Sequence, residues 1–485
     1  MTKQPSLMKN YIYNSIFTAL NLLFPIITIH YVSRVIGAEG IGRVNFANSI
    51  MNYFLIAASL GIPLYGIREI AKVKENRNRL SRTFSEIFII NFVSTALCSA
   101  SYYFMITGSA YFKDDIALYL VTGISLFFNI FNLDWFYQGM EEYKYITVRS
   151  VSVKLVLIVS LFLFVKDRND YIIYALINIL AVSGNNLINV LSLKKFTRFT
   201  TSGLKILKHI KPIMILLSIQ VAVNIYINLD TTMCGILADK TSVGYYSNTV
   251  KINKIVVMAV TSVSTVLLPR LSVYISNKDY EGFNYLVGKA LKVILYISIP
   301  AMAGLAFLSD EIINILCGND FIPAILTMKI LVPLVVILGI GNLFGTQVLM
   351  TLGQERKLLI SVLTGAAVNF SLNLLLIPEF KHDGAAVATV VTEFIVMMTQ
   401  IIFAYKYLNF KISIRDYKNN LISSCSMVVV LILISQLIKN DIINLILTVS
   451  LGIFSYFAVN MLLKDSLTNE VADKLKTLVN KKINK

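Results

Sequence analysis

Charge is scarce in this chain. Of its 485 residues only 15% are Asp, Glu, Lys or Arg, while 56% are hydrophobic, and the mean hydropathy is +0.70. A soluble protein of this length needs solvated domain surfaces, and so little charge excludes them. Cysteine is rare too. Cys98, Cys234, Cys317 and Cys425 are scattered, mostly inside apolar runs, and their spacing suggests neither a disulfide framework nor a metal site. No G-x-x-x-x-G-K-[ST] loop is present, which argues against nucleotide hydrolysis by this chain. No small-residue cleavage site follows the first apolar run, so that run is expected to stay as a helix.

What the chain has in quantity is apolar runs of about twenty residues, the length that crosses a bilayer as a helix. Spans are expected near 11–33, 44–67, 84–107, 116–138, 148–165, 171–193, 211–237, 246–269, 286–308, 322–351, 358–377, 385–405, 418–438 and 441–463. The expected fold class is therefore an all-α polytopic membrane protein with fourteen transmembrane helices.

The net charge of +17 does not point to nucleic acid once its placement is considered. About three-quarters of the 44 basic residues fall on one side, in the N-terminus, the even-numbered connections and the tail. "REIAKVKENRNRLSR" (68–82) and "KKFTRFTTSGLKILKHIK" (194–211) are two such segments. The odd-numbered connections are short and neutral or acidic, as in "SDEIINILCGND" (309–320). The positive-inside rule then places both termini in the cytoplasm of a multi-pass cytoplasmic-membrane protein. The basic side also touches anionic lipid head groups. The tail "VADKLKTLVNKK" is expected on the membrane surface or in solvent.

Two segments repeat. "AEGIGRVNFANSI" (38–50) joins spans one and two, and "ADKTSVGYYSNTV" (238–250) joins spans seven and eight. Matching Gly42 to Gly244 sets Asn45 on Ser247 and Asn52 on Lys254. "QGMEEYK" (138–144) and "LGQERKL" (352–358) repeat at the corresponding later position. Six spans per repeat is an even number, so both copies enter the membrane the same way. Two six-helix lobes related by a pseudo-two-fold axis along the membrane normal are expected. The boundaries are 1–200, 201–410, a two-helix appendage at 411–464, and a basic tail at 465–485.

Polar residues at helical spacing mark a wet face. Span one carries Asn14, Thr18, Asn21 and Thr28, with Pro25 in the stripe. Span two carries Asn45, Asn48 and Asn52. Span seven carries Gln220, Asn224 and Asn228. Span eight carries Ser247, Lys251, Lys254, Thr261 and Thr265. Interhelical hydrogen bonding alone explains any one such stripe. Four stripes at symmetry-matched positions point to a polar cleft. Charges within spans are costly and face a cavity or one another. Lys251 and Lys254 lie on the polar stripe, with Lys254 near the midplane, and read as a cationic site for an anion. Pairing with Asp230 is the alternative. Glu86, Asp134 and Lys154 read as a structural pairing cluster, and Lys329 as a snorkelling lysine. Glu393 reads as a paired carboxylate or an ion site. Arg34 and Arg43 would add to a positive outer vestibule.

"YVSRVIGAEGIGRVNFANSIMNYFLIAASLGIPLYGIRE" (31–69) resembles the signature region of the polysaccharide transporter family, the Wzx-type flippases of O-antigen and capsule repeat units. "NLDTTMCGILADKTSVGYYSNTVKI" (228–252) is similar to its second-half counterpart. The resemblance implies alternating access and a polyprenyl-pyrophosphate-linked oligosaccharide as substrate. It also makes a polysaccharide polymerase a candidate partner. Lipid II flippases of the same superfamily carry lumenal arginines on span one, and the aligned "LLFPIITIHY" (22–31) has none.

Substrate-binding candidates are thus Lys251, Lys254, Asn21, Asn45, Asn48, Asn52, Gln220, Asn224, Asn228 and Ser247. Asp230 and Glu393 are ion-coupling candidates, and no cofactor is expected. A multidrug (MATE-like) antiporter is the near rival, but organic cations would favour an acidic cleft. A membrane polymerase or ligase would need a large outer loop, and all outer connections here are short. The three histidines, His30, His209 and His382, are also few for such chemistry. A non-transporting scaffold has no use for matched polar stripes.

Overall fold

The computed structural model describes the backbone of residues 7–265, 267–409, 414–437, 441–465 and 467–470. Side chains of 7–23, 25, 219, 222–227, 263, 265, 414–417, 435–437 and 441–445 lie outside the description. The tail beyond residue 470 does as well.

The described chain is helical and contains no strand. Helices run through each of the fourteen expected segments, with breaks noted below. Eight stretches are long and apolar enough to cross a membrane by length and composition. Among the described residues, 355–405 holds two expected spans, and 26–73 holds the second and the end of the first. The chain groups into two compact units, Met1–Ser247 and Asn248–Lys485.

The first unit opens with α1 (Leu7–Ser59), kinked at Gly37. There φ is 76°, a conformation that glycine adopts without strain. Next come α2 (Ile62–Val73), α3 (Arg77–Gly108), α4 (Ile116–Phe128), α5 (Asp134–Gly139), α6 (Tyr143–Phe164), α7 (Tyr171–Leu193) and α8 (Leu207–Leu237). The fourth expected span is interrupted between α4 and α5, which frees carbonyls in an apolar medium. Side-chain amides satisfy them. Asn186 Nδ2 donates to the Phe128 carbonyl at 3.2 Å, and Asn91 Nδ2 donates to those of Asn129 and Ile130 at 3.1 and 3.2 Å. A broken helix is tolerated at membrane depth only with such partners.

The in-span acids of this unit do not form the single cluster expected of Glu86, Asp134 and Lys154. Glu86 is fully buried and accepts from Lys208 Nζ at 2.8 Å, from the Lys205 amide at 2.6 Å and from Arg82 Nε at 3.2 Å. His209 Nε2 lies 2.8 Å from Glu86, and its Nδ1 lies 2.6 Å from the Tyr65 hydroxyl. Asp134 instead takes Arg149 Nη2 and Asn189 Nδ2, both at 2.8 Å. The physical reason is the 194–209 connection. It folds back onto α3 and brings closer cations, with Thr197 and Thr200 also bonded to Ser81 and Ser85.

The second unit continues α9 (Lys240–Thr265) and adds α10 (Leu268–Ser276), α11 (Tyr280–Phe307), α12 (Ser309–Leu316), α13 (Ala324–Leu331) and α14 (Leu334–Gly341). A π-helical stretch follows at Asn342–Leu349. Then come α15 (Glu355–Tyr405), α16 (Ile414–Leu437) and α17 (Asp441–Leu462). α15 is kinked at Lys381 (φ 49°, ψ −126°). Lys329 pairs with Asp310 at 2.7 Å, so its charge is matched by protein. α11, α16 and α17 line an open apolar pocket of about 420 Å³, bordered among others by Pro300, Gly304, Met427, Leu431, Gly452 and Phe457. Tyr456 donates to the Tyr296 carbonyl at 2.8 Å beside it.

Removing the Glu86 acceptor strands a buried imidazole and two cations. Glu86→Ala should therefore cost about 2–3 kcal/mol of stability. Thermal unfolding of the purified protein in detergent reads this as a lowered midpoint, with Glu86→Gln falling between wild type and alanine.

Candidate functional site

The expected stripe residues of the first unit meet in pairs along α1, α8 and the start of α9. Asn45 Nδ2 donates to Ser247 Oγ at 2.6 Å. Asn52 Nδ2 lies 3.4 Å from Asn228 Oδ1. Between them, Thr232 Oγ1 donates to Ser49 Oγ at 3.0 Å and sits 3.0 Å from the Tyr53 hydroxyl. Asn48 is half-buried on the same helix, and Gln220 is half-buried on α8. The side chains of Asn21 and Asn224 lie outside the described residues.

The tightest point of this contact is a backbone crossing. A Cβ on Gly42 would lie 1.6 Å from the Lys240 carbonyl oxygen and 2.9 Å from the Gly244 nitrogen. A Cβ on Gly244 would lie 2.0 Å from the Ala38 carbonyl oxygen. Only glycine fits at either position. The contacts are reciprocal. Gly42 meets the residue matched to Ala38, and Gly244 meets Ala38 itself. Asn45 bonds its own mate, 202 residues away. A local two-fold axis between segments 38–47 and 240–247 produces this pattern. The sequence match held the information, because an axis through a contact makes each residue meet its mate.

Charged groups fasten the same end. Lys240 Nζ stands 3.2 Å from the Phe46 ring centroid and donates to the Gly235 carbonyl at 3.1 Å. An ammonium over an aromatic face is held electrostatically. Arg43 is paired with Glu39 at 2.7 Å and Asp115 at 2.6 Å, and Tyr171 donates to Asp115 at 3.1 Å. Arg43 is therefore neutralised and does not add to a positive vestibule. Neither Lys240 nor Asp115 was expected at the site. Both lie in connections, where a span-by-span search does not look.

Asp230 is buried and accepts from the Tyr246 hydroxyl at 2.7 Å. In the second unit, α9 turns Ile252, Asn253, Val257 and Val260 inward, and Asn253 Nδ2 donates to the Leu331 carbonyl at 2.6 Å. Lys251 is half-buried and Lys254 exposed. Lys254 lies 14 residues into α9, roughly 20 Å along a helix rising 1.5 Å per residue. Glu393 is half-buried on α15 beside the fully buried Thr392. Among the described residues, no group of three or more His, Cys, Asp or Glu side chains is placed to hold a metal ion.

Residues 7–275 match the family model described as "Polysaccharide biosynthesis protein". A putative O-antigen transporter of Escherichia coli (strain K12) is 22% identical over 411 residues, covering 83% of this chain and 97% of that one. The fold is similar to that of the lipid II flippase MurJ in an inward closed conformation. That match has a TM-score of 0.77 at 18% identity, covering 95% of this chain and 99% of that one. An inward-facing multidrug resistance MATE family transporter of the MOP superfamily matches with a TM-score of 0.62 at 12% identity, covering 80% and 94%.

The crossing predicts a cross-link. Cysteines at positions 45 and 247 should join on mild oxidation, giving a faster-migrating band that reductant reverses. Cysteines at 48 and 220, which share no such bond, should not.

Proposed function

The chain belongs to the polysaccharide biosynthesis protein family, and from that premise we propose that it is a flippase. It moves polyprenyl-pyrophosphate-linked oligosaccharide repeat units from the inner to the outer leaflet of the cytoplasmic membrane. The observation that carries the reading is Lys254, exposed at mid-depth on α9 with Lys251 one turn away. A charge in hydrocarbon is too costly to keep without use, and an anionic head group gives it one. Similarity to a putative O-antigen transporter over 83% of this chain supports the substrate class.

The mechanism follows from the groups present. The pyrophosphate enters from the cytoplasm and is neutralised by Lys251 and Lys254. Asn45, Ser247, Asn52 and Asn228 exchange their bonds to one another for bonds to sugar hydroxyls, and Asn48 and Gln220 add further amides. The isoprenoid tail stays in lipid or lies along apolar surface such as the pocket of α11, α16 and α17. Six-span lobes, 1–200 and 201–410, rock so that the Gly42–Gly244 crossing parts and the cleft opens outward. No covalent step is required, so the chain is a transporter and not an enzyme. Both termini are cytoplasmic, and a polysaccharide polymerase receives the product. Asp230 and Glu393 are the carboxylates available for ion coupling.

A MATE-type drug exporter shares the fold. Its organic cations would be repelled by Lys251 and Lys254, which makes that reading the weaker one.

Depletion of the protein should cause lipid-linked oligosaccharide to accumulate in the inner leaflet. Lys251→Ala/Lys254→Ala should fail to relieve this although the variant is made and inserted, and Lys254→Arg should relieve it in part. Normal export by the double variant would sink the cationic-site reading. Cysteines placed at 111–115 should label from outside intact cells, and those at 72–78 only after permeabilisation. Outside labelling of 72–78 would reverse the topology.

A further inference from the structure

The connection between the two expected six-span lobes is bonded along its length to α3. Thr197 Oγ1 lies 2.9 Å from Ser81 Oγ, the Thr200 amide donates to Ser85 Oγ at 2.9 Å, and the Lys205 amide donates to Glu86 at 2.6 Å. Phe199 stands edge-on to Phe88, with ring centroids 6.0 Å apart. The run ends in a buried chain of polar groups. Glu86 takes Lys208 Nζ and His209 Nε2, both at 2.8 Å, and His209 Nδ1 lies 2.6 Å from the Tyr65 hydroxyl on α2. One turn further along α8, Ile213 is fully buried in a cluster with Tyr65, Phe84 and Trp135. The start of α2 presses on the same turn, since a Cβ on Gly61 would lie 2.6 Å from the Ile213 carbonyl oxygen.

By repeat count α8 opens the second lobe, yet it falls in the first compact unit, which runs to Ser247. Its two ends are held differently. At the Leu207 end the fastening is a fully buried carboxylate. Pulling its donors away would leave a charge unpaired in a dry site. Toward the Leu237 end, the described side-chain bonds from α8 to α1 are neutral, Asn52 to Asn228 at 3.4 Å and Thr232 to Ser49 at 3.0 Å. Neutral bonds trade for bonds to water at small net cost.

We propose that the 194–209 connection is a strap that keeps the Leu207 end of α8 on the first unit throughout transport, with Glu86 and His209 as its positioning residues, so that α8 parts from α1 only toward its Leu237 end. The inference rests on the flippase reading. The two lobes then rock about a fixed attachment and not about a free linker.

The test locks each end in turn. The full-length protein without its four native cysteines carries either Ser81→Cys/Thr197→Cys or Asn45→Cys/Ser247→Cys. It is reconstituted in sealed vesicles with a fluorescent polyprenyl-pyrophosphate oligosaccharide. Oxidation of the 81–197 pair should leave flipping at the rate of the reduced protein. Oxidation of the 45–247 pair should arrest it until reductant is added. Glu86→Gln should slow flipping several-fold, and the 81–197 disulfide should restore the rate in that variant, because a covalent strap replaces the lost fastening. Arrest by the 81–197 disulfide, undiminished flipping with the 45–247 pair closed, or wild-type flipping by Glu86→Gln would overturn the strap and leave the flippase reading standing. If the native protein shows no protein-dependent flipping, the flippase reading falls and this inference with it.

Discussion

The structure depends on one constraint, the cost of placing an unpaired charge or an unsatisfied backbone group in hydrocarbon. Each irregularity in the described helices answers to it. The carbonyls freed between α4 and α5 are capped by Asn91 and Asn186. Glu86 is surrounded by donors from α3, the 194–209 connection and α8. Arg149 is sheathed by Asp134, Asn185 and Asn189.

The same constraint shapes the closed end. Two helix segments related by the internal repeat meet backbone to backbone at Gly42 and Gly244, with Asn45 and Ser247 bonded beside them. The contact is dense but short. Its described parts are glycine packing, the Asn45–Ser247 bond, the Lys240 ammonium over Phe46 and, at the same end, the Arg43–Asp115 ion pair.

Much of this was legible from residues alone. Apolar run length located the helices, and matching Gly42 to Gly244 located the two segments that meet. What escaped was set by the path of connections. The 194–209 segment folds back onto α3, so Glu86 finds Lys208 and His209 in place of Lys154. Asp115, in the connection after α3, neutralises Arg43. Hydropathy also fails to mark kinks such as those at Gly37 and Lys381, because a backbone dihedral changes direction without changing composition.

The central claim is that this chain by itself carries an anionic lipid-linked sugar across a bilayer. The most direct measurement is reconstitution of the purified protein into sealed vesicles containing a fluorescent polyprenyl-pyrophosphate oligosaccharide, with dithionite quenching used to follow its leaflet. An inside-negative potential of 100 mV supplies about 2.3 kcal/mol per charge moved outward. The account predicts protein-dependent movement to the outer leaflet that this potential accelerates. Movement no faster than in protein-free vesicles, at any potential or ion gradient, would contradict it.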